Sequence, residues 1–103
     1  SWGENIQPET IEQRLVDHPA VAQALVVPMP SDEWGQRPAA FIDWHGEPVP
    51  DSELAAWIRN ALPGFMVPDH WLPWPDLGGN LKPSRQRLGK IAQQQTTRAR
   101  QAE

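Results

Sequence analysis

Only two of the nine basic side chains in this 103-residue sequence are lysines, Lys82 and Lys90, so chemistry that needs a compact ammonium on a flexible stem has two candidates. Lys82 follows a glycine bend in Gly78-Gly79-Asn80-Leu81-Lys82-Pro83-Ser84-Arg85, which would let a loop carry the charge to a phosphate or carboxylate oxygen. A lysine after a glycine turn is also a common solvated surface residue. A second segment, Ser1-Trp2-Gly3-Glu4-Asn5-Ile6-Gln7-Pro8, is polar, contains glycine and feeds a helix through Pro8; its plain alternative is a lead-in capped by Asn5. A third, Asp32-Glu33-Trp34-Gly35-Gln36-Arg37-Pro38, sets an indole beside glycine and Arg37, either as a binding surface or as a tryptophan packed over a sheet edge.

Other chemistries lack their residues. His18, His45 and His70 are scattered, with no two of them three or four apart as a helical zinc site would need. The absence of cysteine excludes disulfide scaffolds, thiolate metal sites and cysteine nucleophiles, and suits a reducing compartment. Neither a Gly-x-Ser-x-Gly elbow nor a glycine-rich phosphate loop after a strand occurs. A net charge of −4 has the wrong sign for general nucleic-acid binding, and the basic run of Arg85, Arg87, Lys90, Arg98 and Arg100 lacks aromatic residues between its charges. No apolar run approaches the roughly 18 residues of a membrane span, and the N-terminus has no signal-peptide pattern. A cytoplasmic protein without a nucleic-acid partner is expected.

The scaffold for these residues has to be small. The length suits one domain, and twelve prolines cut it into short elements and exclude a long-helix bundle. Pro8 to about Asp17 reads as an amphipathic helix with Ile11 and Leu15 on one face and Glu9 and Glu12 at its positive end. Val21–Val27, apolar and β-branched, reads as a central strand; Pro28–Gly35 reads as a loop, and Pro38–Trp44 as a second strand that could pair antiparallel with the first. Asp51 or Ser52 can cap a helix carrying Leu54, Trp57, Ile58, Ala61 and Leu62, which Pro63-Gly64 stops. Phe65–Asp76, broken by three prolines, can supply only a short or edge strand. Ser84 can cap a last helix with Leu88 and Ile91 inward, and the tail 93–103, short of apolar anchors, is expected to fray. The order predicts an α+β domain: a small three-stranded, mainly antiparallel sheet with helices packed on one face.

In this order and at these separations, the three segments resemble the C-terminal domain of the adenylate-forming enzymes: acyl-CoA synthetases, luciferases and peptide-synthetase adenylation domains. Gly-Glu-Asn-Ile-Gln-Pro-Glu-Thr-Ile-Glu is similar to the family's Gly-Gly-x-x-Ile-x-Pro-x-x-Ile-Glu stretch, with Trp2 where a second glycine usually stands. His-Pro-Ala-Val, Val-Val-Pro and Asp-Glu-Trp-Gly-Gln-Arg-Pro resemble its next segment, and Lys82 falls where the family places its adenylation lysine. The ending Gly-Gly-Asn-Leu-Lys-Pro-Ser-Arg-Gln-Arg-Leu is most similar to the 2-succinylbenzoate–CoA ligases of menaquinone synthesis.

The resemblance implies a lid domain over residues 1–103, with a loop for the thioester step at 1–8 and a catalytic lysine loop at 78–85. It implies ATP with Mg as substrate and metal, CoA as co-substrate, and an aromatic or acyl carboxylic acid as the third reactant. The partner is an N-terminal AMP-binding domain of the same chain, and the lid alone is expected to bind no cofactor and to be inactive. Lys82 would stabilise the adenylation transition state. Gly3, Glu4 and Asn5 would then be brought to the CoA thiol by rotation of the lid. Arg37 and Arg85 are candidates for phosphate contacts with CoA or nucleotide, with loop or helix salt bridging as the alternative for each. The lid of a peptide-synthetase adenylation domain and a non-enzymatic module docking through exposed tryptophans both stay open on this reading.

Overall fold

The structure, a computed structural model, describes residues 6–31, 35–76 and 84–102. Pro8 starts α1 (Pro8–Val16) at a position where its missing N–H costs nothing, and Ile11 and Leu15, one turn apart, are fully buried. Asp17 caps the end, and the chain turns at His18-Pro19, where proline denies its predecessor the helical region.

Strand β1 (Val21–Ser31) runs past Val27 through Pro28 and Pro30, so the expected loop is largely strand. It pairs antiparallel with β2 (Gly35–Trp44), in a register that sets Val27 opposite Ala39 and Ser31 opposite Gly35. Gly35 takes a φ of +79°, in the left-handed region that glycine enters without steric cost. Strand β3 (His70–Pro73) lies parallel to β2 on its other side, with Ala39 opposite His70. The sheet order β1-β2-β3 makes β2 the central strand, in place of the Val21–Val27 run.

The two prolines in β1 have a physical reason. The N–H and C=O of Val26 both point away from β2, toward Glu12 and Arg85. Alternate residues of a strand share that direction, so Pro28 and Pro30 turn their missing donors outward, where no ladder bond is lost. Pro38, expected at the start of its strand, sits inside β2 opposite Pro28 with its nitrogen turned from β1 by the same phase. Its carbonyl accepts from Asp69 N–H at 2.9 Å on the β3 side.

Alternation along the strands splits the core in two. Ala24, Val26, Ala40 and Ile42 meet Ile11 and Leu15 of α1 together with Leu54 and Ile58 of α2 (Asp51–Arg59). Val27, Met29, Ala39 and Phe41 meet Leu88 and Ala92 of α3 (Arg85–Ala102). The helices therefore occupy both faces of the sheet and not one, which is why Ala24–Pro30 of β1 is an unbroken apolar run despite lying at an edge.

Helix α2 begins after Pro50 without a side-chain cap, so Asp51 and Ser52 do not play that part; Asp51 and Glu53 instead place negative charge in the first turn. A final turn to Leu62 and a 3-10 turn, Gly64–Met66, lead to β3. Ser84 does cap α3, its Oγ accepting from Arg87 N–H at 3.1 Å. Beyond Gln93 the backbone of α3 is helical to Ala102: the segment is free of Gly and Pro and rich in Gln, Arg and Ala, which are good helix formers. No helix among the described residues is long and apolar enough to cross a membrane.

Candidate functional site

The start of α3 is where the chain leaves the segment that carries Lys82, and three elements meet there. Arg85, the first residue of α3, donates from Nη1 to Glu12 Oε2 at 2.8 Å and to the Val26 carbonyl at 2.7 Å. Its Nη2 donates to Glu12 Oε1 at 3.2 Å and lies 3.5 Å from Glu9 Oε1. Glu12 Oε2 also accepts from Val26 N–H at 2.8 Å. The hydrogen bond to Glu12 raises the Arg85 pKa above its ordinary value against the opposing effect of burial. With a raised pKa, whatever stability the charge contributes is complete below the ordinary arginine value and is lost only above it, so this guanidinium does not titrate in any working range.

Arg37 is equally engaged. Its Nε and Nη2 form a fork on Asp69, at 3.1 and 3.0 Å, while Nη1 and Nη2 donate to the carbonyls of Phe65 and Val67 at 2.6 and 2.8 Å. The guanidinium pins the 3-10 turn and the approach to β3 against β2. Both arginines singled out for phosphate contacts thus have intramolecular partners, matching the salt-bridging alternative for each. We expect Arg37→Ala to cost the 103-residue chain about 1–3 kcal/mol, because two carbonyls and a carboxylate lose their donor. Urea unfolding checks it, and an unchanged midpoint would contradict the tether.

Between α1 and α2 the contacts are reciprocal. Arg14 Nε donates to the Trp57 carbonyl at 2.8 Å, Trp57 Nε1 donates to the Arg14 carbonyl at 2.7 Å, and the Arg14 guanidinium lies 3.9 Å above the indole. His18 is buried edge-on to Trp57; its Nδ1 accepts from Ala20 N–H at 3.0 Å, so the neutral ring carries its proton on Nε2, facing Glu53 at 2.8 Å. This is a latch between helices. Among the described residues, no group of three His, Asp or Glu side chains could hold a metal ion.

Lys82, Gly3, Glu4 and Asn5 lie outside the described residues. Their flanks are placed: Ile6 is buried under the face of the sheet that carries α1 and α2, and Ser84 caps α3. A shallow groove of about 420 Å³ lies beside the α3 start, lined by Pro28, Pro30, Gln36, Gln86 and Lys90 among others. Trp44, Trp57, Trp71 and Trp74 are all half-buried, while the exposed large apolar residues among those described are Val16 and Phe65. The tryptophan docking patch therefore finds no support in these four residues. Sequence reasoning missed Glu12 as the hub of the Arg85 contacts; the only available signal was its place at the end of the Pro-x-x-Ile-Glu stretch.

Residues 10–78 match the profile of the AMP-binding enzyme C-terminal domain. The chain belongs to that family. It is 39% identical over 97 residues to a 2-succinylbenzoate–CoA ligase of Escherichia coli (strain K12), covering 92% of this chain and 21% of the relative. It thus spans about a fifth of that relative's length. In three dimensions it superimposes on wild-type E. coli MenE bound to a phenylether-linked analogue of OSB-AMS with a TM-score of 0.75, 39% identity, and coverage of 89% of this chain and 20% of that one. The o-succinylbenzoate CoA synthetase (MenE) of Bacillus subtilis, in complex with the acyl-adenylate intermediate OSB-AMP, gives a TM-score of 0.73 at 34% identity, covering 84% of this chain and 18% of that one. The mixed three-stranded sheet with helices on both faces is thus the fold of an AMP-binding C-terminal domain.

Proposed function

We propose that this domain is the lid of an ATP-dependent acid–CoA ligase whose acid is 2-succinylbenzoate, and that it serves two half-reactions in turn. The observation that carries the reading is the likeness, over nearly the whole chain, to a 2-succinylbenzoate–CoA ligase. In the first half-reaction a carboxylate oxygen of the acid attacks the α-phosphorus of MgATP. The bond from that phosphorus to the bridging oxygen breaks, and pyrophosphate leaves. The Lys82 ammonium, set between the carboxylate and α-phosphate oxygens, offsets the negative charge that builds in this displacement.

The lid then turns about a hinge to an N-terminal AMP-binding domain. Lys82 withdraws and the segment Gly3-Glu4-Asn5 comes to the passage of the CoA thiol. The thiolate sulfur attacks the adenylate carbonyl, and AMP leaves as the thioester forms. MgATP, CoA and the acid are substrates drawn from the cytoplasm, where this reading places the protein. The lid's own part is to supply charge and exclude water, and the acid is chosen in the N-terminal domain.

Isotope exchange between ATP and pyrophosphate in the full-length protein tests the reading. Exchange should depend on added acid and be strongest with 2-succinylbenzoate. Exchange driven by an amino acid, with transfer to a carrier protein, would favour the peptide-synthetase lid, and no exchange with any aryl or acyl acid would overturn the ligase.

A further inference from the structure

We propose that Arg85 and Glu12 are positioning residues for the adenylation half-reaction, fixing the start of α3, which follows Lys82 by three residues in the sequence; this rests on the function proposed above. The geometry is a closed ring. Val26 N–H and Arg85 Nη1 both donate to Glu12 Oε2 at 2.8 Å, and the same Nη1 donates to the Val26 carbonyl at 2.7 Å. The first residue of α3 is thereby tied to the second turn of α1 and to a single backbone position on the outer edge of β1.

A shift toward the end of β1 is excluded, because the next outward-facing residues in that direction, Pro28 and Pro30, carry no N–H to offer. Glu12 cannot satisfy itself one step further toward Pro28. It is also well covered, its side chain 16% exposed against 38% for Arg85, so the carboxylate is held by packing as well as by its partners. A solvent-exposed pair of long side chains would gain little from such contact. Here the backbone groups of Val26 supply two of the fixed points.

Arg85 follows Lys82 by only three residues in the sequence, so whatever holds the start of α3 acts close to the lysine along the chain. Pro83 fixes one φ of that stretch, and Ser84 is committed to capping α3 through Arg87 N–H. Displacement of a reacting group by about 1 Å costs on the order of 10² in rate, so an anchor this close acts on turnover rather than on substrate affinity.

The test uses the full-length protein and measures both half-reactions, with KM for ATP and thermal midpoint alongside. Arg85→Ala is expected to lower kcat for acid-dependent pyrophosphate release about 10- to 100-fold. KM for ATP should stay within about threefold, as should thioester formation from pre-made acyl-adenylate. Glu12→Gln should follow in the same direction, and the double variant should be no slower than Arg85→Ala, since the two act as one unit. Arg85→Lys keeps the charge but cannot fork between Glu12 and the Val26 carbonyl, and should fall between the parent and Arg85→Ala. If Arg85→Ala does not fold, Arg85→Lys and Glu12→Gln carry the same requirement.

Three results would overturn the proposal. Equal loss in both half-reactions together with a lowered midpoint would make the clamp structural only. A raised KM for ATP at unchanged kcat would mean that Arg85 touches the nucleotide itself. Full activity of Glu12→Gln beside an impaired Arg85→Ala would leave the carboxylate without a part. Lys82→Ala measured in parallel separates the two levels: if it retains adenylation, the functional reading fails and takes this inference with it. If it abolishes adenylation while Arg85→Ala and Glu12→Gln do not affect it, this inference alone fails.

Discussion

Lys82→Ala in the full-length protein is expected to lower the rate of acid-dependent pyrophosphate release by about 10²–10³, the usual cost of removing one preorganised donor from a developing oxyanion. The loss should fall on kcat. In the ground state the α-phosphate and the carboxylate are separate and the charge of ATP is partly offset by its own metal, whereas in the displacement their charges converge on one point, where the proposed function sets the lysine ammonium. Binding of ATP should therefore change little, and Lys82→Arg should not rescue, because a planar guanidinium is not a substitute for a compact ammonium between two oxygens. Lys90, the other lysine of the chain, lies exposed on α3 beside the groove and has no such claim. A Lys82→Ala protein whose KM for ATP rises while kcat holds would contradict this assignment.

A second large effect is expected in the core. Phe41 sits on the central strand, fully buried against Val27, Leu88 and Ala92, so it joins the sheet to α3. Phe41→Ala should cost about 3–5 kcal/mol, the sum of lost transfer energy and the cavity left behind. Domains of this class have about 5–15 kcal/mol to lose in all, so the variant should melt near or below ordinary growth temperature. Circular dichroism of the 103-residue chain measures it directly. A cost below about 1 kcal/mol would mean that α3 does not depend on this face. In the full-length protein the same substitution should depress both half-reactions together, which distinguishes loss of the scaffold from loss of Lys82.

The order of elements was legible because its signals are local. Ile11 and Leu15, like Leu54 and Ile58, lie four apart, and Pro8, Pro19 and Pro63-Gly64 mark the helix ends. What escaped depends on neighbours distant in sequence. An apolar run such as Val21–Val27 looks the same at the centre of a sheet as at an edge covered on both faces, and only the pairing of β2 with β3 decides between them. Pro28 and Pro30 look like loop residues until it is known that their nitrogens face outward. The spacing of Leu88 and Ala92 says that α3 has a buried face, but not which side of the sheet it covers.

The candidate site divides in the same way. Lys82 and Gly3-Glu4-Asn5 are proposed from residue type in a recognisable order and lie outside the described residues, while Glu12 carries no such mark. A glutamate near the start of α1 already has a sufficient local reason to be there, and its partners Val26 and Arg85 are 14 and 73 residues away. Arg37 shows the converse: an arginine beside a glycine loop suggests a ligand contact, yet its four contacts run to Asp69 and to the backbone before β3.

On the proposed function, one small domain supplies a charge to the first half-reaction and then withdraws it for the second. Supplying the full-length Lys82→Ala protein with pre-made acyl-adenylate and CoA, and following thioester formation in a single turnover, tests it most directly. The expected rate is close to that of the unsubstituted protein, beside the collapse in pyrophosphate release. Equal loss in the two half-reactions would contradict it.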